Sequence, residues 1–358
     1  MDYEVFYAGL KKGQTQKVYL FEGEEEYGKE SALRALRAAV LSGPAAMLNE
    51  TTLVNPDESA LIAVCETLPI LAERRLVIVR DFNPLLGNRK EEEGESPARE
   101  AAKKDAGGIA AYLEKLPEFL CLVFFMRGKA SATRKLYRKI KALDGVVVFD
   151  PLDAGKLVRW VAKELREYGK RVDQKTAEQL IFVCGRDMMS LKNEIAKLAA
   201  HAGDREAMTM EDIDALATKS VEYSVFDLAE NVSSGNTAQA LRLLKEMLQG
   251  GEQRLMLLAL IQRQYRQLYF AKILSQDGQM QGRIEKELGV PGFVARRLLS
   301  SARAYDADQL KRAYRLCIKQ EFLVKSGAIN EDGSLEQLVF SLLRIRNEKG
   351  GDANARIR

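Results

Sequence analysis

The sequence predicts an α/β N-terminal region built on a parallel sheet, followed by an all-helical remainder. Five short runs rich in Val, Leu, Ile and Phe alternate with helical patterns as far as Asp150. After Pro151 those runs stop, and apolar residues recur at helical spacing. Gly169, Gly185 and Gly203 punctuate the helical part. Continuous apolar runs suit strands covered on both faces, and strand–helix alternation suits right-handed parallel crossovers.

The expected strands are 18–21, 47–53, 76–79, 120–126 and 146–149, with helices expected at 29–40, 58–71, 109–116 and 131–142. Residues 83–108 interrupt the alternation. They have no apolar periodicity after Leu86 and contain Arg89-Lys90-Glu91-Glu92-Glu93-Gly94-Glu95, which reads as a solvated, disordered insertion. Beyond Pro151, residues 157–168, 175–183 and 190–202 read as three helices broken by the glycines, with a further helix at 211–219. From Tyr223 onward the pattern is helical throughout. In 253–274, Leu255, Leu258, Ile261, Tyr265, Leu268 and Phe270 fall near one face, and 307–325 and 335–346 behave alike. Residues 347–358 form a polar tail expected to fray. The expected domains are 1–150, 151–220 and 221–346, all within the range of ordinary domain sizes.

Composition removes several kinds of chemistry. The single histidine, His201, argues against Ser-His-Asp, Cys-His and multi-histidine metal sites. Cys65, Cys121, Cys184 and Cys317 are far apart with no C-x-x-C pair, so they read as reduced buried thiols and not as zinc or redox motifs. No metal and no cofactor is expected. A net charge of +4 permits nucleic-acid contact without requiring it. The first residues, Met1-Asp2-Tyr3-Glu4, lack the basic start and apolar run of a signal peptide. The longest strongly apolar stretch, 119–126, is too short to span a bilayer, so the expectation is a cytoplasmic protein with no membrane segment.

One segment has the context of a phosphate-binding loop. Gly23, Gly28 and Lys29 follow the first strand, open a helix and satisfy G-x-x-x-x-G-K. The next position should be a hydroxyl that ligates magnesium, and here it is Glu30. Glu24, Glu25 and Glu26 add carboxylates where an anion would bind, and two like charges about 4 Å apart repel by roughly 4 kcal/mol at an effective dielectric near 20. Ser31 is one position late, which turns it about 100° around the helix. The strand at 76–79 runs into Arg80-Asp81-Phe82, a lone acid without the Glu that would complete a Walker-B site. Gly23, Gly28, Lys29 and Glu30 therefore read as a degenerate phosphate loop, and hydrolysis is not expected.

Several stretches carry a resemblance along essentially the whole chain. They include Val18-Tyr19-Leu20-Phe21-Glu22-Gly23-Glu24, Thr67-Leu68-Pro69-Ile70-Leu71-Ala72-Glu73-Arg74-Arg75-Leu76-Val77 and Gly128-Lys129 leading to Arg134-Lys135-Leu136-Tyr137. Leu157-Val158-Arg159-Trp160-Val161, Asn193-Glu194-Ile195-Ala196-Lys197-Leu198, Gln262-Arg263-Gln264-Tyr265-Arg266-Gln267-Leu268 and Val324-Lys325-Ser326-Gly327 come next, in that order. Together with the layout, they resemble the AAA+ clamp loaders, and within them the delta subunits of bacterial DNA polymerase III.

That resemblance implies an AAA+-like α/β domain (1–150), a three-helix lid (151–220) and a helical collar (221–346). It implies a mechanical subunit that binds and opens the ring-shaped sliding clamp (the beta subunit) for loading onto primed DNA. Delta-prime and the ATP-hydrolysing tau/gamma motor subunits would be its partners, with polymerase chemistry in another subunit. It places the clamp-binding tip at Leu68, Ile70 and Leu71. Family members often carry aromatic residues at this tip, whereas this chain has Ile70 and Leu71. Pro69 ends the helical pattern there and pushes Leu68 toward extended geometry, so apolar side chains project as anchors. From the residues alone, packing under the strand at 76–79 is the favoured reading of these positions, and the resemblance reverses that preference.

Lys129, Arg134, Lys135 and Arg138 cluster on or before one helix, as candidate contacts to DNA phosphates or as a solvated face. Two other readings stand beside the main one. The first is an active AAA+ ATPase, opposed by Glu30. The second is a helix-turn-helix DNA-binding regulator, suggested by residues 283–290 and 293–297 flanking Pro291-Gly292.

Overall fold

A computed structural model describes the chain except for residues 2, 87–106, 277–280 and 349–358. The chain divides into two compact units, Met1–Asp153 and Ala154–Arg358.

The first unit is built on five strands: β1 (Val18–Glu22), β2 (Glu50–Val54), β3 (Arg75–Arg80), β4 (Leu120–Phe125) and β5 (Val146–Val148). They form one parallel sheet in the order β2-β3-β4-β1-β5. Alternate residues of each strand feed two cores, because successive side chains point to opposite faces. Val18, Leu20, Val77, Val79, Leu122 and Phe124 enter one core with Leu61, Leu136 and Ile140. Tyr19, Phe21, Leu76, Ile78, Val123 and Phe125 enter the other with Phe6, Leu33 and Leu36. Coverage on both faces explains why β3 and β4 read as unbroken apolar runs. Edge strand β2 is only partly covered, and its Glu50-Thr51-Thr52 start is correspondingly polar.

From β1 the chain travels to the far edge at β2, returns through β3 and β4, and then passes β1 to reach β5. The direction of winding reverses between β4 and β1. In open α/β sheets that reversal creates the crevice where ligands bind, at the carboxyl ends of the strands. Here it lies beside Gly23 and Met126, where the degenerate phosphate loop sits.

Several predicted boundaries are corrected. A helix at Tyr3–Lys11 was not expected; its buried Phe6 makes edge-to-face contacts with Tyr19 and Phe21. The predicted strand 47–53 begins instead as a 3-10 turn, Ala46–Asn49, before β2. The predicted helix 58–71 stops at Cys65. Residues 109–116 start as a helix, Gly107–Tyr112, and finish as the 3-10 turn Leu113–Lys115, and 131–142 shortens to Lys135–Ala142. The insertion 83–108 does not begin as disordered chain. Asn83–Leu85 forms a 3-10 turn with Leu85 buried, whereas 87–106 lies outside the described residues.

The second unit is helical. Ala154–Glu167, Gln174–Cys184, Met188–Ala202 and Met210–Leu216 come first. Asp173, Asp187 and Thr209 cap three of them by accepting hydrogen bonds from first-turn amides. Val221–Ser234, Thr237–Gln249, Arg254–Gln276, Ala307–Lys325 and Ser334–Asn347 surround a core that contains Leu228, Leu244, Ile261, Tyr265, Leu268, Leu310 and Leu342. In Arg254–Gln276, Leu258, Ile261, Tyr265 and Leu268 are buried as expected. Leu255 and Phe270 are exposed, because the buried stripe also runs through Leu257 and Ala271, two and one residues away, and at about 100° per residue those separations turn them off it. Of the tail at 347–358, residues 349–358 lie outside the described residues.

His201 is exposed in the last turn of its helix. All four cysteines are buried and free. Burial pushes the thiols of Cys65, Cys121 and Cys184 up to about 12, and that of Cys317 higher still. Among the described residues no helix is long and apolar enough to cross a membrane.

Candidate functional site

Lys29 keeps the position of a phosphate-loop lysine but not its freedom. Its side chain is fully buried. The ammonium donates to Gly23 O at 2.8 Å, to Met126 O at 2.7 Å and to Glu26 Oε1 at 2.6 Å. An ammonium has three donors, so these acceptors use them all. It bridges the ends of β1 and β4 across the reversal of the sheet.

The loop backbone is engaged as well. Gly23 N donates to Gly128 O and Glu25 N donates to Phe149 O, each at 2.9 Å. Gly23 has φ +117°, and a Cβ there would lie 2.2 Å from Phe149 O. The residue is glycine because the backbone after β5 passes against it. Glu25 caps the helix Glu26–Val40 by accepting from Tyr27 N. The Lys29 cation and the amides of Gly23 and Glu25 are thus committed to the protein and not to a phosphate.

The neighbouring charges are paired too. Glu30, in the place of the metal-binding hydroxyl, accepts from Arg80 Nη1 at 2.9 Å. Asp81, the lone acid after β3, takes Arg127 Nε at 3.0 Å and Arg127 N at 3.2 Å. Ser31 Oγ accepts from Tyr7 OH at 3.2 Å. Glu22 accepts from Ala130 N at 2.7 Å and Tyr137 OH at 3.0 Å, which places a buried carboxylate beside the loop. Among the described residues no cluster of His, Cys, Asp and Glu could hold a metal ion.

The apolar tip lies near the opposite ends of the strands, just before β3. Leu68, Ile70 and Leu71 are 69%, 49% and 93% exposed. They do not pack under β3. The helix Glu58–Cys65 ends with Glu66 as its C-cap, and Pro69 cannot continue a helix. Leu71 has φ +49°, a left-handed conformation that is costly for a branched side chain. Asn49, fully buried at the end of the 3-10 turn, holds the segment from behind. Its Nδ2 donates to Ile70 O at 2.8 Å and to Ala45 O at 2.9 Å, while its Oδ1 accepts from Ile70 N at 2.6 Å. Met47 and Leu48, on the same turn, are exposed as well.

Sequence reasoning missed Asn49, Met47 and Leu48 because they fell inside a predicted strand. The available signal was Asn49 itself, since asparagine is depleted in strands and favoured in turns.

The basic cluster is split by its partners. Lys129 pairs with Asp150 at 2.9 Å, and that hydrogen bond holds its ammonium above the usual lysine range. Arg134 donates to Leu86 O at 2.9 Å. Lys135 and Arg138 are exposed on the helix Lys135–Ala142. The helix-turn-helix cadence corresponds to helices Gln281–Leu288 and Gly292–Ala302. On the second of these, Arg297 is committed to Glu230 through Nε at 3.2 Å and Nη2 at 2.6 Å, and lies over Phe182 and Phe226. It is not presented to a groove.

Comparison with known proteins gives these features a family. Residues 19–149 match the family described as DNA polymerase III, delta subunit, and residues 222–342 match its C-terminal domain. The chain is 25% identical over 344 residues to DNA polymerase III subunit delta of Bacillus subtilis (strain 168), covering 95% of this chain and 96% of the relative. It is 21% identical over 307 residues to the probable delta subunit of Aquifex aeolicus (strain VF5), covering 84% and 83%. In fold it is similar to the solved Bacillus subtilis DNA clamp loader delta protein, with a TM-score of 0.56 and 23% identity over 96% of this chain and 99% of that one. Two models of one family match regions on both sides of the division at Asp153, and the first relative aligns across nearly the whole length: the chain belongs to the DNA polymerase III delta subunit family.

Proposed function

We propose that the protein is a clamp-loader component that docks on the sliding clamp through Leu68, Ile70 and Leu71 and holds the ring open, without hydrolysing ATP itself. The observation that carries this reading is the tip: three apolar side chains exposed together on a turn whose backbone is fixed from inside. Apolar anchors of this kind contribute most of the energy at protein interfaces when they enter a pocket. The engaged loop supports the second half of the reading, because the Lys29 ammonium and the amides of Gly23 and Glu25 already have protein acceptors.

In this reading residues 1–150 act as an AAA+-like domain, 151–220 as the lid and 221–346 as the collar. Delta-prime and the tau/gamma motor subunits supply the rest of the loader, which works in the cytoplasm on primed DNA. Lys129, Lys135 and Arg138 are the exposed members of the basic cluster; Lys129 is paired with Asp150, so Lys135 and Arg138 come first as candidate phosphate contacts, with Lys129 and Arg134 beside them.

The test is a titration of the full chain against the clamp. Replacing Ile70 and Leu71 together by Ala is expected to abolish measurable binding, since each anchor contributes about 2 kcal/mol. Far-UV circular dichroism and the melting temperature should stay unchanged, because neither side chain is buried in the fold. Unaltered affinity of the double variant would sink the assignment.

A further inference from the structure

The conformation of the tip is not explained by the tip's own sequence. Leu71 is almost wholly exposed and sits at positive φ, so the chain holds an apolar side chain in a costly backbone state with little packing in return. Such a state persists when the surroundings over-determine it. Two constraints precede it. Pro69 has its φ fixed by the ring. Ile70 has both its N–H and its C=O bonded to one side chain, Asn49, from 21 residues earlier in the sequence.

Asn49 suits this task chemically. A primary amide offers one acceptor and two donors on adjacent atoms, so it can imitate the edge of a β-strand toward a single residue. Its second N–H is spent on Ala45 O, which anchors the amide to the turn that carries it. The side chain is fully buried, so water does not compete for these bonds. Aspartate lacks the donors, leucine lacks both functions, and serine is too short to reach both atoms of Ile70.

We propose that Asn49 is a positioning residue for clamp docking: it locks the backbone of Ile70 so that Leu68, Ile70 and Leu71 are presented in their bound geometry before the clamp arrives. The inference rests on the tip being the clamp-docking element. Asn49 touches the partner nowhere in this scheme and acts by sparing the complex the ordering cost of the turn.

The experiment uses the full chain and a purified sliding clamp, with wild type, Asn49→Ala, Leu71→Ala, the Asn49→Ala/Leu71→Ala double variant and Ile70→Ala/Leu71→Ala. Asn49→Ala is expected to weaken clamp binding about tenfold, the scale of a few side chains newly immobilised on binding. Its effect should shrink once Leu71 is already Ala, because the lock then presents one anchor fewer, whereas two independent losses would add. Hydrogen exchange on the free wild-type chain gives a readout that needs no variant to fold: the Ile70 amide should be strongly protected although its side chain is half exposed.

A folded Asn49→Ala chain that binds the clamp as tightly as wild type overturns the proposal, as does an Ile70 amide exchanging at the free-peptide rate. So does strict additivity with Leu71→Ala. If wild type does not bind the clamp, or Ile70→Ala/Leu71→Ala binds normally, the docking reading itself has failed, and the two failures are thereby told apart.

Discussion

Lys29 illustrates how a residue keeps its place in a motif while changing its work. In a nucleotide site the ammonium reaches into solvent for phosphate oxygens; here it bonds Gly23 O, Met126 O and Glu26 inside the first unit. Lys29→Ala should therefore destabilise the protein by about 3 kcal/mol, read as a lower denaturant midpoint, because two buried carbonyls lose their donor. Millimolar ATP with magnesium should leave the melting temperature of wild type unchanged, since a ligand stabilises only what it binds. Asp212 gives a pH-dependent counterpart in the second unit. Hydrogen bonds from Arg205, with help from Thr209, hold its carboxyl down to about 2. A depressed folded-state value means the contribution is complete above about pH 4 and is lost as pH falls through 2. Asp212→Asn should thus cost about 1 kcal/mol near neutrality, after discounting for the exposed Arg205, and the gap from wild type should close in acid.

At the scale of elements, legibility followed burial. β3 and β4 were readable because coverage on both sides leaves only apolar residues in their interiors. The amphipathic helices from 307 and 335 were readable within a residue for the same reason. The end of the helix before the tip was placed too late, at 71 instead of Cys65, because Leu68, Ile70 and Leu71 extend its apolar pattern, and periodicity does not distinguish a side chain that faces the core from one that faces solvent. Glu66, which caps the helix, and Pro69 held the correct stop. The role of Asn49 was hidden because its partner Ile70 is distant in sequence, and pairings of that kind are set by tertiary structure. The departures of the segment 23–30 from a phosphate loop, Glu30 above all, were legible in the sequence. What the sequence did not display is that Glu30 and Asp81 had acquired Arg80 and Arg127 as partners.

At the scale of the whole molecule, the parallel sheet and the change to helices after Pro151 were legible from the spacing of the apolar residues. The division into two compact units falls at Asp153, three residues beyond the predicted limit of the first domain. Each unit has cores of its own. Each also encloses two of the four thiols: Cys65 and Cys121 in the first, Cys184 and Cys317 in the second. Only the thiolate reacts with alkylating reagents, and burial suppresses both ionisation and access in all four. The folded protein should therefore be silent to a pulse of thiol reagent at neutral pH. In a denaturant series, mass spectrometry of the labelled peptides should show both cysteines of one unit reacting as a pair as that unit opens. Thiols that take no part in any disulfide thus serve as four internal recorders, reporting which of the two units opens first as the chain is denatured.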